Sequence, residues 1–145
     1  MFIIVKSKRM KKVEYIPGDI VKIEYGEATG KIGFVTNTFL RRKGCYNLVV
    51  FIGKGFQGSS KDDWIQTYND EVSPIPLSTE ILEKNGWEHN DDVYFKEYPH
   101  RKLVVMDGNA YIINNSCSLF LCKVEFVHQL QHLFFGLGIK QKMKV

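Results

Sequence analysis

The chain has 145 residues, 44% hydrophobic and 25% charged, enough for one ordinary domain or two very small ones. No apolar run approaches the roughly 18 residues of a bilayer crossing, and residues 1–10 place apolar before basic positions, the reverse of a secretory signal. The net charge of +4 divides into +5 over 1–12, +3 over 13–61, −8 over 62–98 and +4 over 99–145, which excludes a broad basic footprint and leaves room for a local one.

Residues 1–12 read as an N-terminal extension, with Met10 as an alternative start. From residue 13 to 75 the pattern is short strands broken by glycine and polar turns. Tyr15 to Asp19 is a turn, since Pro17 presets φ and Gly18 supplies the positive φ after it. Strands follow at 20–23, 32–36, 46–52, 63–68 and 72–75, and five so close together predict a small barrel that closes on itself. Gly53 to Gly58 fits the dinucleotide fingerprint in letters, but no apolar helical stripe comes next, so it reads as a glycine loop. Phe56 at its centre is a candidate protein contact.

Val21-Lys22-Ile23, Gly26, Gly30-Lys31, Gly33 and Val35 resemble the KOW motif of SH3-like barrels. Two positions depart, with Glu24 where the family prefers an apolar residue and Thr29 where it prefers lysine. The resemblance implies an SH3-like barrel over 13–75. With the family's RNA-binding use it also implies phosphate contacts from Lys22, Lys31 and the basic turn Arg41-Arg42-Lys43. Phe39 or Tyr46 would then stack on a base. The alternative makes 41–43 a solvated hairpin tip and the aromatics core.

The two prolines of Ser73-Pro74-Ile75-Pro76 mark a joint, and residues 76–145 read as a second module. Ser78 caps a short helix that ends at Gly86. Strands at 93–98, 102–106, 110–113 and 119–122 form a meander, with Asp107-Gly108-Asn109 as a turn. Residues 125–137 are the clearest helix: Phe126, Leu130, Leu133 and Leu137 share a face, and His128, Gln131, His132 and Phe135 lie opposite. His128, His132 and Phe135 are therefore candidate protein contacts. The lysine-alternating tail, 139–145, reads as an edge strand. This half resembles a family of small uncharacterised proteins from gut bacteria and their phages, on Pro76 to Trp87 and on Val127-His128-Gln129-Leu130-Gln131-His132-Leu133. The expected fold class is α+β: an SH3-like small β-barrel, then a small antiparallel sheet with two helices.

Cys117, Cys122, His128 and His132 are the one group resembling a metal site. The cysteines stand five apart in a strand, which sends them to opposite faces, so no metal is expected. The three cysteines, Cys45, Cys117 and Cys122, read as free thiols of a cytoplasmic protein. No catalytic signature emerges and no cofactor is expected. The sequence points to a non-enzymatic binding or accessory protein of a bacterial or phage locus. Its expected partner is another protein, with nucleic acid as the alternative and no membrane.

Overall fold

Residues 14–53 and 63–145 are described in the computed structural model, and the chain divides into two units, Met1–Ser73 and Pro74–Val145. In the first unit Ile20–Ile23 (β1), Ile32–Arg42 (β2), Cys45–Phe51 (β3), Trp64–Tyr68 (β4) and Val72–Pro74 (β5) form one sheet in the order β4-β3-β2-β1-β5. β1 alternates, so Val21 and Ile23 are buried while Lys22 is exposed. The turn before it is closed by Asp19, whose carboxylate accepts the Ile16 N–H at 2.9 Å. Gly26 and Gly30 take φ of 93° and 90° in the β1–β2 loop, as only glycine does freely. Gly33 is required for a different reason: a Cβ there would lie 2.4 Å from the Phe51 carbonyl oxygen. Tyr15, Val21, Ile23, Val35, Leu48, Val50 and Val72 build the core on one face of the sheet.

This sheet does not close into a barrel. β4 and β5 are its two ends. An open cleft of about 720 Å³ lies between Trp64, Ile65 and Thr67 of β4 and Tyr25 to Ala28 of the β1–β2 loop. β5 leaves β4 through the tight Tyr68–Glu71 turn and lies beside β1 instead; it has three residues and ends in Pro74, which has no N–H for a second neighbour.

The second unit is a meander of Glu88–Asn90 (β6), Val93–Tyr98 (β7), Arg101–Met106 (β8), Asn109–Asn114 (β9) and Cys117–Lys123 (β10), each antiparallel to the next. Asp107 and Gly108 both take positive φ, 52° and 72°, as a two-residue hairpin turn requires. β6 escapes sequence reading because Glu88-His89-Asn90 has no apolar residue; pairing with β7 alone makes it a strand. Thr79–Lys84 (α1) starts where Ser78 accepts the Ile81 N–H, and it buries Leu82. Val127–Gly136 (α2) starts where the Gln129 side chain reaches back to the N–H groups of Glu125 and Phe126. Its buried face carries Val127, Leu130 and Phe134, and the Phe134 ring stacks on Trp87 at 6.5 Å.

The tail expected as an edge strand forms none. Gly138 turns the chain at φ 71°, and Asn85 then holds the tail. Asn85 Oδ1 accepts the Lys144 N–H at 2.8 Å and its Nδ2 donates to the Lys144 carbonyl at 2.7 Å, with Met143 buried beside them. A side chain meets the hydrogen-bonding needs that a neighbouring strand would otherwise meet. Among the described residues the chain is thus mostly β, with two open antiparallel sheets and two helices, in place of the expected α+β chain with a closed SH3-like barrel. Among the described residues no helix is long and apolar enough to cross a membrane.

Candidate nucleic-acid interface

Register decides which side chains share a face, because residues directly opposite in an antiparallel pair point the same way. In the first sheet Val21, Val35, Leu48 and Val50 point to the core. The other parity points outward. Lys22 stands opposite Ile32, Ile20 opposite Phe34, and Phe34 opposite Phe51, which is opposite Trp64. Farther along, Asn47 stands between Phe39 and Tyr68.

Phe39 reaches that face because of a bulge. Simple alternation from the buried Val35 would send residue 39 into the core. The register shifts between Val35 and Asn37, Thr38 comes to lie opposite the buried Leu48, and Phe39 turns outward, 54% exposed. A second shift, between Leu40 and Arg42, frees Arg41. Its guanidinium lies 5.6 Å from the centre of the Tyr68 ring and donates to the Tyr68 hydroxyl at 2.5 Å.

Phe51 is buried between two other rings, with centroids 5.4 Å from Phe34 and 4.7 Å from Trp64. Phe34 and Trp64 stay 43% and 44% exposed. No outward position of β1 to β4 is acidic. Glu24, one step past β1, accepts the Ser73 hydroxyl at 2.8 Å. The charges on the face are Lys22 at one end and Arg41 and Arg42 at the other, where Asp70 also lies beside Tyr68, along an aromatic row about 25–30 Å long at the usual rise per strand residue.

Of the residues singled out by sequence, Lys22, Phe39 and Arg41 come together on this face. Arg42 and Lys43 are exposed at the end of the β2–β3 hairpin, whose turn is completed by Gly44 at φ 76°. Lys31 lines the open cleft instead. Tyr46 packs against the core, and a hydrogen bond to Glu14 holds its phenol above the usual range. Phe56 and the glycine loop beyond Gly53 lie outside the described residues. Sequence reading does not single out Phe34, Trp64 and Tyr68. Their alternation with Val35 and Ile65 is visible in the chain, but the register that groups them is not.

In the second unit Phe135 is 83% exposed, whereas His128 is only 6% exposed rather than on a polar helix face. Burial, and then the neighbouring His132 ring 5.5 Å away, push the His128 pKa down to about 4. His132 is half-buried beside β10. Cys117 is exposed, and burial raises the pKa of the half-buried Cys122. Among the described residues no three His, Cys, Asp or Glu side chains are grouped to hold a metal ion.

No family model, curated protein or solved structure matches the chain.

Proposed function

We propose that the protein is a binding module whose first unit takes single-stranded nucleic acid across the outer face of its sheet. One observation carries this reading: the register groups Phe34, Phe39, Trp64 and Tyr68 on a face whose outward positions hold bases and no acid. Bases stack on exposed rings at about 1–3 kcal/mol each, whatever their sequence. Lys22 and Arg41 stand where the phosphates entering and leaving such a row would pass. The KOW-like glycine pattern of the sequence points to the same class of ligand. Duplexes are disfavoured, since their bases are already stacked and unavailable to the rings.

The test is fluorescence anisotropy at low salt with labelled oligouridine, oligothymidine and a duplex of equal length. Single strands should bind and the duplex should not compete. Phe39→Ala and Trp64→Ala should each weaken binding by about 5- to 100-fold, the equivalent of one lost stack. Arg41→Glu should lower the slope of log affinity against log salt by about one phosphate contact. Absence of single-strand binding at low salt sinks the proposal. A protein partner is the second reading, favoured by the exposure of Phe135 on the other unit, and a Phe135→Ser variant that loses such a partner while keeping oligonucleotide affinity would support it.

A further inference from the structure

The second sheet ends in two edges, β6 and β10, that differ in protection. β6 carries Glu88 and runs into Asp91 and Asp92, charges that oppose the addition of another strand. β10 is guarded only at its far end, by a bulge after Phe120 and by Lys123, its last residue. Residues 109–122 contain no charged side chain, and Leu119 and Phe120 stand 62% and 52% exposed. They point to opposite faces, Leu119 opposite Ile112 and Phe120 opposite Tyr111. Beside the strand an apolar groove of about 430 Å³ runs along α2, lined by Leu121, Cys122, Gln129, His132 and Leu133.

We propose that β10 pairs antiparallel with β10 of a second copy of this chain, joining two five-stranded sheets across a two-fold axis. Charge selects both the occupant and the direction. A neutral strand meets no like charge in its own copy except at Lys123, which ends it. Antiparallel pairing sets the two Lys123 side chains at opposite ends, whereas parallel pairing would place them side by side. Addition of β6 from another copy would bring Glu88, Asp91 and Asp92 to the junction and would propagate without closing. The register shift between Phe120 and Cys122 ends regular pairing, so the shared stretch is Cys117 to Phe120 with Ser118 or Leu119 on the axis. Facing residues must share a side, so either choice sets Leu119 against an inward residue of the copy, next to the groove. A shared stretch of four residues is short, as suits a reversible association rather than a permanent one.

Sedimentation velocity of the full chain over the micromolar range tests this. A concentration-dependent dimer is expected, with amide exchange at Cys117 to Phe120 slowing as it forms. Leu119→Glu should weaken the dimer by about tenfold or more, from like charges brought together at the axis. Ser118→Lys changes an exposed polar position; it should do the same while circular dichroism shows the fold unchanged, which separates lost pairing from unfolding. Glu88→Lys on β6 should leave the dimer intact. A chain that stays monomeric, a dimer indifferent to both β10 substitutions, or a different protein that occupies β10 of a monomeric chain would each overturn the proposal.

Discussion

His128 shows how little a residue type settles without its surroundings. Its place in the helical pattern suggests a polar face, yet it is 6% exposed and its pKa falls from the ordinary 6.5 to about 4. The consequence for stability has a definite sign. Between those two values the unfolded chain holds a proton that the folded chain refuses, so acid favours unfolding. Stability from this group is whole above pH 6.5, declines as the pH falls, and is lost once the pH passes below about 4. The loss amounts at most to about 3–4 kcal/mol, because each tenfold change in proton affinity corresponds to about 1.4 kcal/mol. Urea titrations across that window should show it, and His128→Leu should flatten the profile there; an equally steep profile in the variant would place the acid sensitivity elsewhere.

At the scale of elements, side chains and bulges decide what propensity leaves open. The tail alternates Lys140, Lys142 and Lys144 with Gln141, Met143 and Val145 as a strand would, but no described strand pairs with it. Asn85 takes its backbone instead and also bonds the Ile81 carbonyl at 2.7 Å. The Asn85 carbonyl in turn accepts Lys96 Nζ at 2.6 Å and Gln141 Nε2 at 3.1 Å. Asn85→Leu should therefore cost about 1–2 kcal/mol, since it removes the two part-buried bonds that hold the Lys144 backbone. Chemical denaturation measures that loss, and hydrogen exchange should show the 139–145 amides released first. A variant as stable as the wild type would mean the tail is held by Met143 packing and the Gln141 hydrogen bonds. β2 gives the counterpart for function: one inserted residue near Thr36 moves Phe39 from the core side to the outer face, and no alternation rule foresees it.

At the scale of the whole molecule the chain is two self-contained cores. In the second, the anchors of both helices and the tail are internal. The Leu77 N–H donates to the Glu125 carbonyl and the Val127 N–H to the Ile75 carbonyl, and Asn85 closes on Lys144. A chain of residues 74–145 should consequently unfold cooperatively by itself, with a low midpoint because so small a domain buries little surface. Thermal circular dichroism of that fragment is the check, and a broad, non-cooperative melt would show that it depends on the first unit.

Much of the local structure is legible in the sequence: the starts of the strands in the first unit, though not the run of β2 on to Arg42, the Ser78-capped helix, the Asp107-Gly108 turn and the α2 stripe. These follow from chain-local causes such as glycine φ, proline geometry, caps and periodicity, which neighbours in sequence report. The sequence could not determine closure, because closure rests on which strand the short β5 pairs with, and it pairs with β1 alone. Nor could it group Phe34, Phe39, Trp64 and Tyr68 or place His128 in the core. Those outcomes depend on register, bulges and which surfaces meet. They are set by contacts between residues tens of positions apart, which exist once the strands have paired and the helices have packed.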